Sequence, residues 1–263
     1  MARYTVALIT YFDILGFEAL VEGRSASHIR SILDGLHRES KPDDELARLS
    51  SMRYFNFSDH VVRVTNLLAK GNVKSPTGLL FHEVLGIVHM QSQLLTEGVF
   101  IRGSLTVGEI YTGHGLIFGK GLNRAYKLES KVAKYPRIVI DPIALKIFAT
   151  TPALKAAWHT HKEERTYLRS SIRRDQQDHV HFVDYLTSMG EEIDEPADYA
   201  QFLIEHRDAI QTNRKRHRDA PRVLAKYNWL RRYHNSVVDR LRVGFLQTHR
   251  LTRAQLRVPG RIS

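Results

Sequence analysis

Apolar residues in this chain come first as short dense runs and later at helical spacing. Val6-Ala-Leu-Ile-Thr-Tyr-Phe12 is β-branched, aromatic and of strand length, so residues 4–13 are predicted to form a buried strand ending at Asp13. Gly16 permits a tight turn, and from Phe17 to about Leu36 the apolar positions recur as on one helix face. Residues 41–50, with Lys-Pro-Asp-Asp-Glu, suit a polar loop or short helix. Met52–Phe57 and Val61–Thr65 read as two strands meeting near Ser58-Asp59, and Thr77–Leu95 reads as a helix. Val99–Val107 and Glu109–Phe118 predict a strand pair bent at Gly108, with Gly113 and Gly115 near its tip. Gly119–Ala133 predicts a short helix, Arg137–Ile140 a strand stopped by Asp141-Pro142, and His179–Leu186 a late strand. From about Glu195 the pattern is wholly helical, with Pro221 dividing helices over 196–217 and 222–248. The closing Val258-Pro-Gly-Arg-Ile-Ser reads as a frayed end.

Strands and helices in this order predict an α+β fold, a mainly antiparallel sheet covered by helices and followed by C-terminal helices. Two regions are expected: a domain over 1–190 and a basic helical extension over 195–263. No internal repeat interrupts them.

Composition narrows the class only a little. The 263 residues are 43% hydrophobic and 25% charged, ordinary for a globular protein. No apolar run has the length of a membrane helix, and the N-terminus lacks a signal-peptide layout. The absence of cysteine excludes disulfides and thiolate metal sites, which suits a cytoplasmic location. Charge is more telling. Residues 207–263 carry fifteen Lys/Arg against three Asp, whereas residues 1–206 carry twenty-four against twenty-five Asp/Glu. The net +11 therefore belongs to the tail, which suits either a polyanion partner or a solvated helix face.

Two aspartates stand at the mouths of apolar strands. Asp13 follows the first strand, just before the Gly16 turn; Asp59 lies at the bend between two later strands. Each has a plain explanation, Asp13 as a helix cap and Asp59 as a turn residue. Brought together on one sheet edge, they make a candidate site for divalent metal ions and a phosphate-bearing substrate. The amides of Ile14, Leu15, Gly16 and Phe17 would then lie near a helix start, where phosphate is attracted. A third segment, Gly119-Lys-Gly-Leu-Asn123-Arg124-Ala-Tyr-Lys127-Leu-Glu129, places Asn123 and Lys127 on one helix face. Its glycines do not form a Walker-type phosphate loop. The fourteen histidines, His159/His161 and His179/His181 among them, show no zinc-motif spacing.

Taken in order, these segments resemble the class III nucleotide cyclases, the adenylate/guanylate cyclase family. Phe12-Asp13-Ile14-Leu15-Gly16-Phe17 resembles that family's first metal-binding strand and turn. Phe57-Ser58-Asp59 resembles its second metal aspartate, with Ser58 in place of the usual glycine. Arg102-Gly-Ser-Leu-Thr-Val-Gly108 resembles the Arg-Ile-Gly-Ile-His-x-Gly strand, and Gly119–Glu129 resembles the Gly-x-x-Val-Asn-x-Ala-x-Arg-Leu-Glu helix. The likeness covers roughly residues 4–141.

The resemblance implies two Mn²⁺ or Mg²⁺ ions per active site, held by Asp13, Asp59 and the Ile14 carbonyl, with Leu15, Gly16 and Phe17 near the substrate. It implies a homodimer with active sites at the interface, in which Asn123 orients the ribose and Lys127 or Arg124 stabilises developing charge. Lys127 stands where the family has an arginine, keeping the charge but losing the planar fork. In adenylate cyclases a lysine four positions before the second metal aspartate helps read adenine; here it is Phe55. Its acidic partner, seven before the helix asparagine, is here Leu116. These departures, with Lys226-Tyr-Asn-Trp-Leu-Arg-Arg-Tyr-His-Asn235, look most like the bacterial pyrimidine (uridylate/cytidylate) cyclases of Pycsar anti-phage systems. The substrate would then be UTP or CTP, with Tyr54 or Phe55 narrowing the base pocket and Arg102 touching base or ribose. A purine cyclase, a non-catalytic nucleotide-binding protein and a nucleic-acid-binding protein using the tail remain the rival readings.

Overall fold

The computed structural model describes residues 2–41, 50–73, 78–151 and 161–262. Strand β1 (Thr5–Ile14) leads through Gly16 to helices α1 (Phe17–Gly23) and α2 (Ala26–Ser40). The hairpin β2 (Met52–Phe57) and β3 (His60–Asn66) follows, then a single turn α3 (Lys70–Val73) and α4 (Leu79–Leu95). Next come β4 (Ile101–Gly113), β5 (Leu116–Phe118), α5 (Lys120–Lys131), β6 (Ile138–Ile140) and α6 (Pro142–Thr150). After α7 (His161–Ser171), β7 (Ile172–Arg174) and β8 (His181–Val183), the chain is helical. These last helices are α8 (Tyr185–Glu192), α9 (Pro196–Arg216), α10 (Pro221–Val238), α11 (Val243–Thr248) and α12 (Arg253–Leu256).

The predicted α+β class holds. Seven strands lie in the order β2-β3-β1-β4-β6-β8-β7, with β5 paired to β4. Every pairing is antiparallel except β4 with β6. The pleat divides β1 cleanly. Leu8, Phe12 and Ile14 face the large core built with α2, α4 and the C-terminal helices; Ala7 and Ile9 face a smaller cluster under α5. The large core contains Leu203, Trp229, Leu230, Leu256 and Val258 together with the strand residues. Beneath the sheet, Glu83 of α4 accepts from Thr10 Oγ1 at 2.5 Å and from Arg63 Nη2 at 2.8 Å. Glu83 thus balances a buried cation and ties α4 to two strands.

Several boundaries differ from the sequence expectation. Residues 17–36 form two helices, because the Ser25 side chain caps α2 by accepting from the His28 N–H. Gly108 is no bend: β4 runs straight through it, and the reversal falls at His114-Gly115, both with positive φ. Gly108 is small for packing, since a Cβ there would lie 2.7 Å from Gly121 Cα of α5. The late strand shrinks to β8, because the Asp184 side chain accepts from Thr187 N–H and caps α8. The helix expected over 222–248 breaks after Val238, and the chain restarts at Arg242 as α11. Most of the 41–50 segment and His159 lie outside the described residues.

Candidate active site

Asp13 and Asp59 meet at one end of the sheet. Asp13 lies on the β1 face that carries Tyr11, and both look toward α5. It is not a helix cap: Gly16, with φ 72°, occupies that position for α1. Asp59 sits in the β2–β3 turn after Ser58, whose φ of 55° is the left-handed conformation that glycine adopts most cheaply. Its neighbour His60 completes a group: one ligand atom from each of Asp13, Asp59 and His60 lies within 4.8 Å of the others. The His60 Nδ1 is buried, has no hydrogen-bond partner among the described residues, and stands 4.0 Å from Asp59 Oδ1. Two carboxylates and an unsatisfied imidazole nitrogen are a donor set that suits a divalent cation.

Charge around this group is concentrated and poorly solvated. Burial pushes the Asp59 carboxyl up, with Asp13 adding to the rise; His60, the Asp59 amide and the Ile14 N–H offset part of it. Burial and the Asp13 charge likewise raise Glu129 of α5. Tyr11 is pushed up to about 12 by burial, Glu129 and Asp13. Arg102 answers this charge. Its guanidinium reaches both oxygens of Asp13 and stands 2.7 Å from Glu129 Oε1. Lys226 of α10 also feels the cluster: burial and Arg102 lower its pKa, while Asp13 and Glu129 pull it up. His60, Glu129 and Lys226 escaped the sequence reading. His60 adjoins a named residue, Glu129 ends a motif already singled out, and Lys226 opens the 226–235 segment quoted for its likeness but was given no site role.

Helix α5 has two opposed faces. Gly121, Ala125 and Glu129 are buried four residues apart, and Ser104 Oγ donates to the Ala125 carbonyl at 2.7 Å. Asn123 and Lys127 lie roughly 200° round the helix from that stripe and are exposed. The fold therefore turns them away from the Asp13 carboxylate of their own chain. Arg124 leans to Asp141, which it engages through Nε and, at 2.9 Å, through Nη2. Thr106 also donates to Asp141, at 2.6 Å.

The remaining candidates separate too. Leu15 N–H is spent on the Phe100 carbonyl at 2.8 Å, while Gly16 and Phe17 continue into the α1 turn. Tyr54 and Phe55 point to opposite faces of β2. Tyr54 packs on the large core beside His37, whereas Phe55 joins the smaller cluster on the α5 side. Leu116 pairs with Gly113 at the far end of β4, roughly 35 Å along the strand from Arg102. Exposed Phe57 adjoins the Asp59 turn, and exposed Tyr4, Leu116 and Phe118 mark the opposite end.

No family profile matches this chain, and no curated protein does. Solved structures do match. The adenylyl cyclase CyaB from P. aeruginosa is 17% identical, with 70% of this chain and 95% of that one covered at a TM-score of 0.44. The monomeric guanylyl cyclase domain of the RhoGC fusion protein from the aquatic fungus Blastocladiella emersonii is 16% identical, covering 69% and 96% at 0.42. A class III adenylyl cyclase-like ATP-binding protein from Pseudomonas aeruginosa is 16% identical, covering 64% and 40% at 0.42. No helix among the described residues is long and apolar enough to cross a membrane.

Proposed function

We propose that this chain is a nucleotide cyclase working as a homodimer. It converts UTP or CTP to the 3′,5′-cyclic monophosphate and pyrophosphate, as a second messenger for anti-phage defence. One observation carries the reaction class: paired carboxylates at one sheet end, and an amide and a cation on the outward face of α5. Neither half is complete alone, and a second copy can join them. The pyrimidine preference rests on the sequence resemblance, in which Phe55 and Leu116 stand where adenylate cyclases carry the purine-reading lysine and acid. The defence role is supported by the likeness of residues 226–235.

Asp13, Asp59 and the Ile14 carbonyl would hold Mn²⁺ or Mg²⁺, with His60 in reach. Bound between these residues, such an ion would supply the acidity for the ribose 3′-hydroxyl and the charge to offset the phosphates. Asn123 of the second copy holds the ribose, and its Lys127 faces the charge that develops on the phosphate oxygens. The 3′-oxygen bonds to the α-phosphorus and gives its proton to solvent. The bond from that phosphorus to the bridging oxygen breaks, and pyrophosphate leaves with the electron pair. Arg102, forked on Asp13 and Glu129, holds the carboxylate in place. Arg124, committed to Asp141, serves as a brace for α5 in this arrangement.

The test is incubation of purified protein with ATP, GTP, CTP and UTP plus Mn²⁺, with products identified by mass. Cyclic UMP or cyclic CMP is expected. Preferential use of ATP or GTP would overturn the substrate assignment, and no cyclic product from any of the four would overturn the reaction class.

A further inference from the structure

The C-terminal helices border a second, solvent-open cavity of about 480 Å³, lined by none of the Asp13 group. Its walls carry Arg207 of α9, Arg231 of α10 and Arg257 of the tail, and no carboxylate. Arg207 and Arg257 each engage an acid outside the wall, Asp208 at 2.7 Å and Asp239. Arg231 does not. Among the described residues its buried Nε has no hydrogen-bond partner, and its guanidinium makes no ion pair. Behind the wall lies Arg214, buried and donating to the carbonyls of Pro259 at 2.6 Å and Gly260 at 2.7 Å. Burial lowers the Arg214 pKa, and the Arg231 charge adds to that. Four guanidinium groups thus share two carboxylates.

The cavity is built rather than incidental. Arg214 pins the Pro259-Gly260 turn, and Asn235 clasps Val258 through both its carbonyl and its N–H, at 3.0 and 2.8 Å. An unpaired cation on a half-buried side chain costs stability, and an apolar residue of similar size would remove that cost. Three arginines lining one pocket with no carboxylate among them suit the charge of a phosphate better than that of a single carboxylate. The volume falls in the range of small-molecule pockets, roughly 300–1,000 Å³. We propose that this cavity binds a phosphate-bearing small molecule of mononucleotide size, with its phosphate on Arg231. The inference stands apart from the reaction assigned to the Asp13 site.

The test titrates the full chain with inorganic phosphate and with uridine 5′-monophosphate, by calorimetry and thermal shift, beside Arg231→Met and Asp13→Asn. One-site binding of the mononucleotide is expected. It should be at least about tenfold weaker in Arg231→Met, as for one lost charge-assisted contact, and unchanged in Asp13→Asn. The melting temperature of Arg231→Met in phosphate-free buffer should equal or exceed that of the parent. Absence of binding, equal binding to Arg231→Met, or loss of binding in Asp13→Asn would each overturn the assignment. So would a melting temperature several degrees lower in Arg231→Met, which would make the residue structural. A single-stranded oligonucleotide that binds through Arg231 more tightly than the mononucleotide would replace the small-molecule site by a nucleic-acid surface.

Discussion

Arg102 grips Asp13 with a fork, its Nε and Nη2 each 2.9 Å from a different carboxylate oxygen. The register of β1 against β4 sets the two residues directly opposite each other. Without this guanidinium, Asp13, Asp59 and Glu129 would form a poorly solvated acidic cluster with little cationic relief. Arg102→Met should therefore cost about 3 kcal/mol in the presence of chelator, on the scale of a broken buried pair. Added Mn²⁺ should restore more melting temperature in the variant than in the parent. An unchanged melting temperature in chelator would show that the cluster does not need the arginine.

Asp59 is held at a cost, since burial raises its pKa. Asp59→Asn removes the charge while keeping the shape, so the folded protein should be as stable as the parent or slightly more so. Turnover should fall by at least ~10²–10³-fold, the scale for losing one charge-stabilising group. Circular dichroism and the cyclase assay separate the two effects. Asp59→Asn protein that folds and keeps parental turnover would remove this carboxylate from the reaction.

The outward face of α5 permits a sharper experiment. Asn123→Ala and Asp59→Asn should each be inactive alone. In an isologous dimer, mixing them gives heterodimers with one intact site, so an equal mixture should recover about a quarter of parental activity. A mixture that exchanges subunits and stays inactive would place both residues in the same chain's site.

Elements dictated by local chemistry were legible in the sequence. The β1 run, the Gly16 turn and the β2–β3 hairpin around Asp59 all lie where residue type and spacing put them. Gly108 misled because a glycine required for helix packing and one required for a turn look alike until its neighbour Gly121 is known. Three-residue strands such as β7 and β8 carry too few positions to show a period, and tertiary pairing defines them. Opposed faces of α5 were implicit in the spacing of Gly121, Ala125 and Glu129. The partners Asp13 for Arg102 and Asp141 for Arg124 depend on strand order and were not readable from the sequence.

His206 and His234 form a neutral, directional chain inside the C-terminal helices. The His234 Nε2 faces the Leu256 carbonyl at 2.8 Å and must donate, so its Nδ1 accepts from His206 Nδ1 at 3.0 Å. The His206 Nε2 is then left to accept from the Tyr185 hydroxyl, 2.5 Å away. One added proton turns an acceptor into a donor and breaks this chain. Burial accordingly pushes His206 well below its usual pKa, with His234 adding to the shift, and lowers His234 to about 4. The unfolded chain, with histidines near 6.5, binds more protons than the folded chain below that pH. The stabilisation is therefore complete above about pH 6.5 and is lost as pH falls toward 4, by about 1.4 kcal/mol per unit for each histidine. Urea midpoints measured from pH 8 to pH 4.5 should fall in this window, and His234→Gln should fall less steeply from a lower starting stability. Equal slopes in parent and variant would show that the pair stays neutral for reasons unrelated to folding.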